Sequence, residues 1–135
     1  MEKGVGGEIK KGKVREMAKK GYEAEAEFKK KLENMGWLVM RVSGSIGAGD
    51  LVAMSASSNK IYQIKSTTSN VFYFDKQTKS EVERLFDIEA TYGIPCYLAI
   101  KFKRGKGRKG VWVIRKVSEV GLNNNYKPIK YEVER

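Results

Sequence analysis

Two strands are predicted in the middle of the chain, by the sequences Asp50-Leu51-Val52-Ala53-Met54 and Lys60-Ile61-Tyr62-Gln63-Ile64-Lys65-Ser66. Both are short runs rich in apolar and β-branched residues, and a serine-rich turn separates them. A hairpin folded at this turn sets Asp50 opposite the neighbourhood of Gln63 to Lys65. Because side chains alternate between the two faces of a strand, Gln63 and Lys65 share one face. The hairpin therefore predicts that three polar groups meet at one end of a sheet.

A helix is predicted upstream of the hairpin, from about Val14 to Met35, and Gly36 ends it. Glu25 lies beside the apolar stripe of this helix, close to Leu32, so its carboxylate is expected at the edge of the buried face. A carboxylate in that position needs a partner such as a cation. The alternative is an ordinary surface ion pair with Lys29, four residues on. The stripe itself consists of Ala24, Phe28, Leu32 and Met35.

The rest of the chain alternates strands with one more helix. Further strands are predicted from Trp37 to Val42, from Cys96 to Phe102 and from Val111 to Ile114, and a helix from Asp75 to Tyr92. The helix has a partial apolar face formed by Val82, Leu85, Phe86 and Glu89-Ala90, with Asp75 or Ser80 as its cap and Gly93 and Pro95 at its end. No internal repeat or domain boundary interrupts the pattern. A length of 135 residues suits one domain.

The composition favours a polyanionic partner. Lys and Arg number 27 against 16 Asp and Glu, a net charge of +11. Such a surface attracts polyanions over a Debye length of about 8 Å in physiological salt. Nucleic acid is the expected partner, and an anionic membrane surface is the lesser alternative. Because no apolar run approaches the roughly 20 residues of a membrane span and no signal peptide is recognisable, we expect a soluble, intracellular protein in the cytoplasm, associated with the nucleoid.

Two segments concentrate the positive charge. Residues 1–13 are rich in glycine and lysine without periodicity, so we predict a flexible basic arm ahead of a single domain at 14–135. The arm is either a disordered tail or a DNA contact. Lys103 to Gly110 forms a cationic loop that suits a phosphate backbone, although a solvated hairpin tip has the same composition. The candidate DNA-binding residues are Lys10, Lys11, Lys13, Arg15, Lys19, Lys20, Arg41, Lys103, Arg104, Lys106, Arg108 and Lys109.

The scarcity of two residue types excludes several enzyme classes. The chain has no histidine, which rules out zinc deaminases, histidine-dependent metal nucleases and hydrolases with a Ser-His-Asp or Cys-His centre. Its single cysteine, Cys96, lies in an apolar stretch and is interpreted as a small buried hydrophobe. Any acid-base chemistry must therefore come from Glu, Asp, Lys or Tyr.

The polar groups at the end of the hairpin suit phosphodiester hydrolysis. Mg²⁺ prefers oxygen ligands and keeps several waters, so one or two carboxylates and a carbonyl suffice to hold it. Asp50 is the firm ligand, Gln63 offers its amide oxygen, Ile64 its backbone carbonyl, and Glu25 a direct or water-mediated contact. Lys65 is expected near the attacking water and the scissile phosphate, where its charge stabilises the transition state.

Several motifs in this order resemble one family. They are Lys20-Gly21-Tyr22-Glu23-Ala24-Glu25, Gly36-Trp37, Arg41-Val42-Ser43-Gly44-Ser45, Gly49-Asp50-Leu51-Val52-Ala53, Tyr62-Gln63-Ile64-Lys65-Ser66-Thr67 and Ala99-Ile100-Lys101-Phe102. Together they look like the archaeal-type Holliday junction resolvases of the PD-(D/E)xK nuclease superfamily, from about Lys20 to Trp112. An archaeon or its virus is the host that this resemblance suggests.

The resemblance implies a fold, a reaction and a set of residues. The fold is α/β, restriction-endonuclease-like, with a central mixed β-sheet flanked by helices. The reaction is nicking of four-way DNA junctions at symmetric points by a homodimer that depends on Mg²⁺ or Mn²⁺. Glu25, Asp50 and Lys65 match the catalytic positions, and Ser45 is a candidate active-site serine. Gln63 is the departure, since resolvases of this type usually carry Glu there. Two alternatives stay open: a restriction- or repair-type nuclease, and a non-catalytic basic nucleic-acid-binding protein.

Overall fold

The helices and strands follow the predicted alternation. The computed structural model describes residues 22–42, 50–104, 109–121 and 124–131. Helix α1 covers 22–34 within these ranges. The later elements are β1 (Leu38–Val42), β2 (Asp50–Met54), β3 (Asn59–Thr67), β4 (Val71–Phe72), α2 (Lys76–Tyr92), β5 (Cys96–Phe102), β6 (Val111–Lys116), α3 (Val117–Val120) and β7 (Ile129–Lys130).

The central sheet is mixed, as predicted. Its strand order is β1-β2-β3-β5-β6, and β3 and β5 run parallel while every other neighbouring pair is antiparallel. Parallel strands need a crossover connection, and α2 supplies it between β3 and β5. Strands β4 and β7 form a separate two-stranded sheet. Neither β4, β7 nor α3 was predicted, because segments of two to four residues are too short to show a period.

Helix α1 covers one face of the sheet. Ala24, Phe28 and Leu32 of its predicted stripe are buried with apolar residues of β1, β2, β3 and β5, and the Phe28 ring lies 5.1 Å from that of Tyr62. The stripe stops one turn earlier than expected. Met35 is 72% exposed, because the helix has already ended and Met35 lies in the turn that leads to Gly36.

Helices α2 and α3 cover the opposite face. Val82 and Leu85 of α2 are buried against the alternate residues of β5, including Cys96, whose thiol pKa burial raises to about 11. Cys96 therefore has the structural role predicted for it. The prediction for Phe86 was wrong, since its side chain is 41% exposed at the rim of the helix, and Ala90 is exposed as well.

The ends of α2 agree with its sequence signals. The Asp75 carboxylate caps the helix by accepting a 2.8 Å hydrogen bond from the backbone N–H of Thr78, so Asp75 rather than Ser80 is the cap. Gly93 ends the helix with a φ of 71°, in the left-handed region that glycine adopts without strain. None of the described helices is both long and apolar enough to cross a membrane.

Candidate active site

Asp50 and Gln63 face each other across the β2–β3 hairpin. The antiparallel register pairs them directly, so their side chains lie on the same face of the sheet. Lys65 is two residues further along β3 and shares that face. Ile61, on the same face of β3, belongs to the core beneath α2, so the three polar side chains point towards α2. The predicted convergence of Asp50, Gln63 and Lys65 is confirmed.

Two oxygen atoms of this group accept no hydrogen bond from the described residues. Asp50 is 7% exposed and Gln63 only 1%. Among the described residues, no donor reaches Oδ1 of Asp50 or Oε1 of Gln63. Leaving a buried oxygen without a donor costs free energy, so such atoms in a folded protein call for a partner such as a water molecule or a metal ion. Side by side, a carboxylate and an amide oxygen match the ligand preference of Mg²⁺.

Helix α2 contributes two charged residues that the sequence analysis did not identify. Arg84 donates a 2.7 Å hydrogen bond from Nη2 to Oδ2 of Asp50, and Glu81 forms an ion pair with Lys65, with Oε1 2.7 Å from Nζ. Glu81 and Arg84 are three residues apart, so they lie on one side of the helix. Their spacing beside the buried Val82 and Leu85 was a usable signal, but it is common on amphipathic helices.

Glu25 is buried on the other face of the sheet. It is 3% exposed and accepts a hydrogen bond from Nε of Arg41, which raises the pKa of Arg41 above its ordinary value. Arg41 lies opposite Leu51, the neighbour of Asp50, so this pair lies at the Asp50 end of the sheet. The alternative of a surface pair with Lys29 is wrong, because Lys29 bonds Glu33 at 2.8 Å.

The residues present fit a divalent cation with few protein ligands. Within the described ranges, no three His, Cys, Asp or Glu side chains are grouped closely enough to bind a metal. A cation on this side of the sheet would therefore depend on Asp50 and Gln63, with water and phosphate oxygens filling the other positions. Mg²⁺ accepts such a partly hydrated site, whereas structural zinc requires four protein ligands.

A family model describes most of this chain. The model of the archaeal Holliday junction resolvases (Hjc) matches residues 16–132. The chain belongs to that family. Asp50, Gln63 and Lys65 of this family member lie within the matched region, as do Glu25 and the two residues contributed by α2.

Individual relatives agree with the family model. Crossover junction endodeoxyribonuclease Hjc of Methanocaldococcus jannaschii is 35% identical over 89 residues, which span 66% of this chain and 64% of the relative. The chain thus matches a little less than two thirds of the length of this curated relative. The solved structure of Archaeoglobus fulgidus Hjc, a Holliday junction resolvase, superposes with a TM-score of 0.57 at 23% identity, over 73% of this chain and 74% of that one. This superposition confirms the restriction-endonuclease-like fold of the family.

The candidate DNA-binding cations of this resolvase-family chain are only partly within the described residues. Arg41 pairs with Glu25 and stacks on Tyr22, with 4.6 Å from its guanidinium carbon to the ring centroid. Arg104 lies over the Tyr131 ring at 5.4 Å. Lys103 is partly exposed and Lys109 is exposed. The arm at 1–13 and Ser45, Lys10, Lys11, Lys13, Arg15, Lys19, Lys20, Lys106 and Arg108 lie outside the described residues.

Proposed function

We propose that this protein is a metal-dependent endodeoxyribonuclease that resolves four-way DNA junctions by paired symmetric nicks. The observation that carries the proposal is a pair of buried oxygen atoms, on Asp50 and Gln63, that no donor among the described residues reaches, with Lys65 on the same face. The M. jannaschii relative is named a crossover junction endodeoxyribonuclease, which supports the same reaction class for this chain. The protein acts inside the cell, where branched DNA forms.

Each residue of the site has a chemical role in this proposal. Asp50 and Gln63 would hold a Mg²⁺ or Mn²⁺ ion, with the Ile64 backbone carbonyl as a further ligand. Glu25 lies on the opposite face at the same end of the sheet, so its contact with the ion would pass through water and would not be direct. When bound, such an ion makes a water nucleophilic and stabilises charge on the phosphoryl oxygens. The fully buried Ile64 side chain packs beneath α1, so only its backbone is available for the site. Ser45 is proposed as a further residue of the active site.

Lys65 supplies a positive charge to the scissile phosphate. Its side chain is 21% exposed, and its ammonium lies 2.7 Å from Oε1 of Glu81, in an ion pair without the angle of an aligned hydrogen bond. A cation that is already in place when negative charge develops stabilises the transition state without reorganising. The role of Lys65 is therefore to stabilise the negative charge that develops on the phosphate during attack by water.

Paired nicks require two active sites at a fixed separation, and we propose that a homodimer provides them. Strand β1 is an edge strand of the described sheet. Leu38, Met40 and Val42 lie in a row on one face of this strand and are 63%, 50% and 48% exposed. Val42 pairs with Asp50 in the register, so this apolar row runs on the face of the active site and ends beside it. An exposed apolar edge of this kind favours association with a second copy.

The experiment that tests the proposal compares three labelled DNAs of equal length: a four-way junction, a nicked duplex and a linear duplex. Each is incubated with the protein in Mg²⁺ or in excess chelator. Mg²⁺-dependent cleavage of the junction over both duplexes is the expected result. Equal cleavage of junction and linear duplex would instead favour a restriction- or repair-type nuclease. Binding of all three DNAs with no cleavage in any metal would indicate a non-catalytic basic protein.

A further inference from the structure

The carboxylate of Asp50 already has a positive partner inside the protein. Arg84 reaches it from the middle of α2 with a 2.7 Å hydrogen bond to Oδ2, while Oδ1 accepts no hydrogen bond from the described residues. The two partners differ in burial: the Asp50 side chain is 9% exposed and that of Arg84 is 52% exposed. Asp50 is therefore held in the core, whereas about half of the Arg84 side chain faces solvent.

Within the described residues, the charged side chains that contact one another at this site form two neutral pairs. Asp50 is opposed by Arg84, Glu81 is opposed by Lys65, and Gln63 is neutral. A divalent cation that approached this arrangement would meet a carboxylate whose charge is already neutralised and an arginine that repels it. A Glu in place of Gln63 would leave an excess negative charge at the site. With Gln63, the position of Arg84 decides how much negative charge a metal ion encounters.

We propose that Arg84 is an internal counter-cation, which a divalent metal must displace from Asp50 and which then binds a phosphate of the DNA. The proposal rests on the metal-dependent nuclease function proposed above and adds a positioning and phosphate-binding residue to it. Guanidinium groups bind phosphate in a two-pronged geometry, so the DNA offers Arg84 a partner at least as good as the one it leaves.

Coupling between metal and DNA follows from this exchange. DNA that attracts Arg84 away from Asp50 exposes the carboxylate and strengthens metal binding. By linkage, a metal that displaces Arg84 strengthens DNA binding by the same factor. The protein would therefore bind metal weakly on its own and take it up mainly when DNA is bound.

Metal binding by the DNA-free protein tests the first step. Mn²⁺ is titrated by calorimetry into wild type, Arg84→Gln, Arg84→Lys and the matched control Arg115→Gln, which removes the same charge from an exposed arginine on β6. Ion pairs with an exposed partner are worth factors of up to about five in affinity. We expect Arg84→Gln to bind Mn²⁺ about two- to fivefold more tightly, and Arg84→Lys and Arg115→Gln to bind as wild type does.

Asp50→Asn shows whether the gain arises at this site. The gain from Arg84→Gln should vanish when it is combined with Asp50→Asn, because the arginine then has no carboxylate to neutralise. Circular dichroism of each variant confirms that the fold is intact. Mn²⁺ affinity that is unchanged or weaker in Arg84→Gln overturns the proposal, and so does a gain that persists in the double variant.

Single-turnover cleavage of the junction at saturating Mn²⁺ tests the second step. Because the glutamine of Arg84→Gln cannot hold the phosphate as a guanidinium does, this variant should cleave about tenfold more slowly than wild type, and Arg115→Gln at the wild-type rate. A wild-type rate for Arg84→Gln would overturn the transfer of Arg84 to phosphate. If the wild type cleaves no DNA, the proposed function fails, whereas tighter Mn²⁺ binding by Arg84→Gln would still establish the counter-cation.

Discussion

Lys65 and Glu81 form an ion pair between the central sheet and α2, with their charged atoms 2.7 Å apart and their side chains 21% and 14% exposed. Glu81→Gln should slow junction cleavage about 10- to 100-fold with little change in junction affinity, because Lys65 loses the partner that fixes its ammonium beside the phosphate. Glu81→Asp, which keeps the charge, should recover part of the rate.

The control for this prediction is Glu83→Gln, on the same helix. Glu83 accepts a 2.9 Å hydrogen bond from the Tyr126 hydroxyl and has no described contact with Lys65. Single-turnover rates and binding constants are measured for all three variants. Wild-type cleavage by Glu81→Gln, in a protein that needs Lys65 for cleavage, would show that the ion pair has no part in the reaction.

Variants of Asp50 and Lys65 should lose cleavage of the junction while they keep affinity for it. Asp50→Asn and Lys65→Ala should each lose cleavage by orders of magnitude, because both act on the chemical step. Affinity for the junction should change little, since many cations share the contacts with the phosphate backbone. Cleavage gels and mobility shifts on the same junction make the comparison. If either variant cleaves at the wild-type rate, that residue does not belong to the catalytic set.

The β2–β3 hairpin is the part of the molecule that was predicted most completely from the sequence. Alternation along β2 and β3, together with one tight turn, was enough to predict that Asp50 lies near Gln63, and the register pairs the two residues directly. Local geometry determines such a contact, because only about a dozen residues separate the two positions. The buried stripe of α1 was predicted for the same reason, up to the residue where the helix ends.

The contribution of α2 to the site could not be predicted in this way. Arg84 meets Asp50 only because the crossover between β3 and β5 lays α2 over the polar face of the hairpin. Helical periodicity indicates which residues of α2 face the sheet, but not which strand they face or how far along it. Contacts of Glu81 and Arg84 with the hairpin are long-range and depend on the packed fold.

The loop between β5 and β6 should contribute to DNA affinity through charge alone. Removing the cations of Lys103 to Lys109 is expected to weaken junction binding and to reduce the slope of log affinity against log salt by about 0.9 for each phosphate that the loop no longer neutralises. Preference for junction over duplex should change less than affinity. Binding is measured across a series of salt concentrations. An unchanged slope would mean that the loop is a solvated tip.

The apolar row on β1 should hold the dimer together. Met40→Asp introduces a charge at the centre of the row, where Met40 is 50% exposed and pairs with Val52, so it should dissociate the dimer without unfolding the subunit. Tyr73→Asp is the control, since Tyr73 is 67% exposed next to the small second sheet. Light scattering gives the mass of each variant. A wild type that is monomeric with and without junction would remove the basis for paired cuts.

Gln63 decides how strongly the site holds metal. An amide oxygen binds Mg²⁺ but adds no negative charge, so Gln63→Glu should keep activity and lower the Mg²⁺ concentration for half-maximal cleavage, and Gln63→Ala should lose most activity. The added carboxylate has a cost, because it is buried opposite Asp50 and the two like charges repel when no metal lies between them. Gln63→Glu should therefore melt at a lower temperature than wild type in chelator and recover in Mg²⁺.

Cleavage rates over a range of Mg²⁺ concentrations, with melting curves of the same three proteins, distinguish the possible roles of Gln63. If Gln63 is a ligand, the Mg²⁺ concentration for half-maximal cleavage should differ between wild type and Gln63→Glu. In addition, only Gln63→Glu should be stabilised strongly by Mg²⁺. Identical titrations for wild type and both variants would show that Gln63 does not bind the metal. If the wild type is inactive and Gln63→Glu restores cleavage, the chain binds junctions but lacks the negative charge it needs to cut them. The single carboxylate of Asp50, opposed by Arg84, would then bind the cation too weakly.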